Sequence, residues 1–129
     1  MLMVLLSAEV RGAEEKVSPL TIEGAQTIDA ATAKALFESG ALFIDVRLAK
    51  DWEAGHIPGA EHLELYEQFL RKNLRALVAP DEPIVFYCNG PKCMRSARAA
   101  SMAVIWGYRQ VYYFRGGYPA WQAAGFPIE

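Results

Sequence analysis

Apolar residues recur along this chain with two different periods. Ala41-Leu42-Phe43-Ile44-Asp45-Val46 is an almost unbroken apolar run of strand length. Such runs mark strands buried on both faces, as in parallel sheets. Ile84 to Tyr87, opened by Pro83, and Val111 to Phe114 also read as strands, and Gln26-Thr27-Ile28 is a short strand candidate. Between them the spacing becomes helical. Asp29 is placed to cap a helix from Ala30 to Ser39 with the stripe Ala33, Leu36 and Phe37, and Gly40 suits its exit. Leu65, Phe69, Leu70, Leu74 and Leu77 predict a helix over 65–77. Ser96 to Trp106 is an alanine-rich helix ended by Gly107. Gly116-Gly117 turns into a short helix holding Trp121, before Gly125 and Pro127 close the domain, and Leu48 to Ala60 reads as a loop around Gly55, Pro58 and Gly59. Strands that alternate with helices predict an α/β domain: a mainly parallel sheet with helices on both faces. Ligands of such sheets bind beyond the carboxyl ends of the strands.

Composition narrows the picture. The chain has 129 residues, 53% hydrophobic and 22% charged, which suits one domain with a real core. A formal net charge of -2 offers no field for nucleic acid. The small basic face of Arg71, Lys72 and Arg75 reads as a solvated helix surface, and Tyr112, Tyr113 and Phe114 read as strand rather than as a base-stacking platform. Residues 9–24 are polar and read as a linker, so the chain divides into a leader or linker over 1–24 and a folded domain over 25–129. The apolar start, Met1 to Ala8, is far shorter than the ~20 residues of a membrane span. It reads as the tail of an export signal, as a disordered start, or as a segment packed on the domain, and the export reading would place the protein in a bacterial-type periplasm.

The chemistry concentrates after the third long strand, in Cys88-Asn89-Gly90-Pro91-Lys92-Cys93-Met94-Arg95-Ser96. Cys88 and Cys93 are the two cysteines of the chain, too few for a disulfide scaffold in a sequence this apolar. They supply half of a tetrahedral zinc shell, and His56 and His62 add no ligand pattern, so no metal or cofactor is expected. Reactivity or simple burial remains. A thiol attacks only as thiolate, and its ordinary pKa is about 8.5. Here the helix start near Met94 to Ser96, the amides from Asn89 to Arg95, and the charges of Lys92 and Arg95 can all favour an anion, while Gly90 lets the loop curl. The same cradle can hold an oxyanion substrate.

Four stretches in order resemble the rhodanese-like, or sulfurtransferase, family. They are Leu42 to Arg47, ending in Asp-x-Arg; Trp52 to Ala60, with Glu-x-Gly-His-Ile-x-Gly-Ala; Ile84 to Ser96; and Gly116 to Pro127, with Gly-Gly-x-x-x-Trp. The resemblance spans roughly residues 25–129 and implies a five-stranded parallel sheet flanked by helices. It also implies a loop cysteine that takes sulfane sulfur from an anionic donor such as thiosulfate. The resulting persulfide would pass its sulfur to cyanide or to a thiol acceptor, including a small redox protein. By position Cys88 corresponds to the family nucleophile, and Asn89, Gly90, Pro91, Lys92, Cys93, Met94 and Arg95 would hold the donor through backbone N–H groups. The loop departs from the family pattern: it is about two residues longer than usual and contains a second cysteine. Cys93 is therefore a second thiol, a relay or an alternative nucleophile.

Two other functions compete with sulfur transfer. One is a non-catalytic sensing or partner-binding module in which Cys88 and Cys93 toggle a disulfide. The other is phosphatase or arsenate-reductase-like chemistry, against which Cys88 to Arg95 is one residue too long for a Cys-x5-Arg loop. Elsewhere, Asp45 and Arg47 read as an ion pair that fixes loop geometry. Glu53 and His56 read as hydrogen-bonding partners within the Gly55–Gly59 turn rather than as acid and base, His62 as surface or satisfied core, and Trp52, Trp106 and Trp121 as packing.

Overall fold

A computed structural model describes residues 17–129, so the apolar start and its export reading lie outside the described residues. Five strands form one sheet: β1 (Ala25–Thr27), β2 (Leu42–Asp45), β3 (Glu61–His62), β4 (Ile84–Tyr87) and β5 (Val111–Phe114), in the order β1-β5-β4-β2-β3. Every pairing is parallel. Among the described residues four helices connect them, α1 (Ala30–Glu38), α2 (Ala49–Ala54), α3 (Arg71–Leu77) and α4 (Arg95–Ile105), and α5 (Gly117–Ala123) follows the last strand.

The expected α/β architecture is therefore present, with a core on each face of the sheet. The central strand β4 shows why its apolar run is unbroken. Side chains alternate across a strand. Ile84 and Phe86 join Ala97, Ala99, Ala100 and Ala103 of α4 in one core, and Val85 and Tyr87 join Phe43, Phe114 and Trp121 in the other. The alanine surface of α4 lets that helix approach β4 closely. The same alternation carries Cys88 onto the α4 face, in the core that holds Phe86.

Three elements differ from the sequence expectation. Leu48 to Ala60 was expected to be loop, but it contains α2, a six-residue helix with no side-chain cap and no apolar stripe long enough to announce it. Strand β3 is two polar residues, Glu61 and His62, paired with Ile44 and Asp45. Its identity rests on the neighbour it pairs with. The helix expected over 65–77 begins only at Arg71. Leu65 and Phe69 are buried as the period implies. The Glu64 carboxylate and carbonyl, however, gather the amides of Tyr66, Glu67, Gln68 and Phe69 into a turn instead of a helix.

The part of the lead-in that the structure describes is tied to the domain. Ser18 is 2% exposed and gives both its N–H and its hydroxyl to the Pro91 carbonyl, at 2.7 and 2.8 Å. Arg115 holds the Ser18 carbonyl at 3.0 Å, and the Tyr113 hydroxyl donates to the Pro19 carbonyl at 2.8 Å. Residues 17–24 thus form a strap across the loop that follows β4.

Candidate active site

The loop after β4 leaves the sheet at Cys88 and folds back on itself. Gly90, at φ 114, takes a conformation that favours glycine, and the Cys93 amide closes a turn on the Gly90 carbonyl at 2.9 Å. The reversal brings Cys93 back over Cys88. Both cysteines are free thiols, Cys88 buried at 1% exposure and Cys93 partly exposed.

Helix α4 starts without a side-chain oxygen cap. Its first amides must find other acceptors, and sulfur supplies them. The Ser96 N–H points to Cys88 Sγ at 3.3 Å, and the Ser96 hydroxyl lies 3.3 Å from the same sulfur. The Cys88 thiol also reaches the Cys93 carbonyl oxygen, at 3.6 Å.

The two thiols share one negative charge. Cys93 is lowered to about 6: the hydrogen bond from the Cys88 side chain outweighs partial burial, helped by the Asn89 and Arg95 amides and by the Arg95 charge. Cys88 moves the other way, raised by that same hydrogen bond to Cys93 and by its own burial, with Ser96 only partly compensating. Of the two, Cys93 is thus the more acidic thiol and Cys88 the one that holds its proton more tightly.

The neighbouring loops hold this one in place. Asp45 and Arg47 form the expected ion pair, buried and bidentate, with Nη2–Oδ2 at 2.7 Å and Nε–Oδ1 at 3.0 Å. Arg47 also donates to the Gly55 carbonyl at 2.7 Å and to Asn89 Oδ1 at 3.2 Å, while Asn89 Nδ2 donates to Asp51 at 3.1 Å. Burial alone would lower the Arg47 pKa, but the Asp45 hydrogen bond and charge reverse the sign, so the guanidinium stays charged. His56 is structural: its ring stacks on Trp52 at 3.5 Å, Nδ1 contacts the Trp52 carbonyl at 2.9 Å, and its backbone pairs with Glu129. His62 Nε2 contacts the Arg47 carbonyl at 2.8 Å, a satisfied partner as expected.

The expected binding residues separate into those the structure gathers and those it does not. Asn89 is held by Arg47 and Asp51, Gly90 makes the turn with Cys93, and Pro91 is the anchor for the strap. Lys92 and Met94 are exposed on the rim. The Arg95 guanidinium turns away from the cradle to Glu64 at 2.8 Å and the Val46 carbonyl at 3.0 Å, so it reaches the site as background charge. Three contributors escaped the sequence reading. Ser96 was seen only as a helix opener, although a serine in the first turn after a thiol is a readable signal. Gly117, at φ 64, lets α5 approach so closely that a Cβ there would collide with the Cys88 carbonyl and lie 2.9 Å from the Gly90 nitrogen. Ser18 gave no signal, because its partner is 73 residues away.

Comparison with known proteins agrees with this geometry. The family model for the rhodanese-like domain matches residues 29–124. The thiosulfate sulfurtransferase GlpE of Pseudomonas savastanoi pv. phaseolicola is 34% identical over 99 residues, covering 75% of this chain and 86% of that protein. The mitochondrial protein HIGH ARSENIC CONTENT 1 of Arabidopsis thaliana is 29% identical over 122 residues, covering 87% of this chain and 70% of that protein. Among solved structures, the human single-domain sulfurtransferase TSTD1 superposes with a TM-score of 0.66 at 27% identity, covering 77% of this chain and 96% of that one. Among the described residues no helix is long and apolar enough to cross a membrane, and no group of three or more His, Cys, Asp or Glu side chains could hold a metal ion.

Proposed function

This chain belongs to the rhodanese-like domain family, and from that premise we propose that it is a sulfurtransferase working through a cysteine persulfide on the 88–95 loop. The observation that carries the reading is the thiol pair at the carboxyl end of β4, with the Ser96 amide 3.3 Å from Cys88 Sγ and the Cys93 pKa lowered to about 6. Nucleophilic sulfur at neutral pH is what attack on a sulfane donor requires. Backbone N–H groups suit an anionic donor such as thiosulfate, since they offer positive charge without adding a proton to the thiolate.

The order of steps follows from the residues. A donor anion approaches the cradle from the rim of Lys92 and Met94. The thiolate attacks the outer sulfur of the donor, the donor's S–S bond breaks, and sulfite departs when the donor is thiosulfate. The persulfide anion is then held by the amides that held the thiolate. Cyanide or a thiol acceptor, such as that of a small redox protein, removes the outer sulfur and regenerates the cysteine. No acid–base histidine is needed, which accords with the structural roles of His56 and His62.

The test is direct. Incubation of the reduced protein with thiosulfate should yield protein heavier by one sulfur atom, with sulfite released, and addition of cyanide should yield thiocyanate. Absence of both the adduct and thiocyanate would refute the proposal.

A further inference from the structure

A persulfide needs one thiol, and this loop has two in contact. Cys88 lies beneath Cys93 and is sealed from solvent, so a dissolved donor meets Cys93 first. The Gly90–Cys93 turn points Cys93 back toward the strand end, and the strap from Ser18 to Pro91 holds that turn closed. Cys88 Sγ lies 3.6 Å from the Cys93 carbonyl oxygen, and Cys93 packs against the core that holds Cys88. Nothing in a one-thiol transfer requires the buried sulfur to face the exposed one.

We propose that Cys88 is a resolving thiol: it attacks the inner sulfur of a persulfide on Cys93, closes a Cys88–Cys93 disulfide, and expels the outer sulfur as hydrosulfide. This rests on the sulfurtransferase reading and deepens it, because it adds release of sulfide to transfer of sulfane sulfur. The atoms balance in two steps. In the first, the Cys93 thiolate takes the outer sulfur of thiosulfate, and sulfite leaves with the electron pair of the broken bond. In the second, a bond forms between the Cys88 and Cys93 sulfurs as the persulfide bond breaks, and the Cys88 proton leaves with the departing sulfur as HS⁻. The cysteine pair is oxidised and the sulfane sulfur is reduced to the level of sulfide. A dithiol reductant, such as a Cys-x-x-Cys protein, then reduces the disulfide by exchange.

The surroundings of Cys88 suit this role. While Cys93 is a bare thiolate, its charge keeps Cys88 protonated and unreactive. Once Cys93 carries sulfur, that charge moves to the outer atom, which is the leaving group. The Ser96 N–H, 3.3 Å from Cys88 Sγ at the start of α4, is then in position to stabilise the attacking sulfur as its proton departs.

The experiment uses the full chain, reduced and then freed of reductant, under anaerobic conditions with one equivalent of thiosulfate. Sulfite, sulfide, free thiols and intact mass are read together. The wild-type protein should release one equivalent each of sulfite and sulfide, lose both thiols, and end two hydrogens lighter. Cys88→Ser should stop one sulfur atom heavier, with the extra sulfur mapped to Cys93 in the loop peptide and sulfide release lower by about tenfold or more. Cys88→Ala should do the same, which separates loss of the thiol from any change in packing. Sulfite without sulfide in the wild type, or sulfide release undiminished in both variants, overturns this inference and leaves the sulfurtransferase reading standing. No sulfite and no adduct in any variant overturns that reading and this inference with it.

Discussion

Two loops leave the carboxyl ends of adjacent parallel strands, and they treat charge in opposite ways. The loop after β2 buries Asp45 and Arg47 together, spends the remaining guanidinium donors on Gly55 and Asn89, and stacks His56 on Trp52. Its buried charges are matched to each other. The loop after β4 favours a negative charge on the Cys93 sulfur chiefly through the Cys88 thiol, helped by loop amides and the Arg95 charge. A matched pair is structurally firm and chemically idle, whereas a charge eased by a neutral thiol and amides remains available to a substrate. The first loop also supports the second, since Arg47 fixes Asn89 at the mouth of the cradle.

If that division is right, the largest stability effect belongs to the first loop. Arg47→Met should cost about 3–5 kcal/mol, because Asp45 would remain buried without its partner. Urea unfolding measures it, and a loss below about 1 kcal/mol would mean that the pair is not the support described here. Gly117→Ala comes next. The backbone conformation alone costs about 1–3 kcal/mol. The Cβ also pushes against the Cys88 carbonyl and the Gly90 amide, so sulfur uptake from thiosulfate should fall along with the melting temperature.

The smaller effects belong to the second loop and are chemical before they are structural. Alkylation of Cys93 by iodoacetamide should rise through a midpoint near pH 6 and then level off, with Cys88 untouched in the native protein. The linkage has a definite sign. A thiol lowered by folding stabilises the fold fully above its unfolded pKa and loses that contribution as pH falls through its folded one. The urea midpoint should therefore climb from pH 6 toward about 8.5 in the wild type, and Cys93→Ser should flatten that climb. Ser96→Ala should change stability by only about 0.5–1.5 kcal/mol. It removes the hydroxyl that the Cys88 thiol reaches, yet leaves the Ser96 amide in place. A Ser96→Ala variant as unstable as Arg47→Met would erase the contrast between the loops.

Periodic features were legible in the chain and local ones nearly so. The apolar runs of β2, β4 and β5 mark buried strands because a strand covered on both faces has no polar side to show. The spacing in α1, with Asp29 accepting the Thr32 amide at 2.9 Å, marks a helix because cap and stripe lie within a few residues of each other. The elements that escaped have no such pattern. Strand β3 is two residues long and exists through its pairing with β2, and α2 is a single polar helix of six residues.

The candidate site divides along the same line. By itself the sequence determined that a thiol follows a buried strand and that a glycine-containing loop with a second thiol separates it from a helix. Only the tertiary structure decided which thiol is the more acidic, where Arg95 places its guanidinium, and that Ser18 and Gly117 close over the loop. The reason is distance along the chain. Periodicity, caps and turns act between neighbours and are written in adjacent residues. The pKa of a thiol depends instead on burial and on the groups folded against it, and the groups that clamp its loop come from residues 73 positions before Pro91 and from the start of α5.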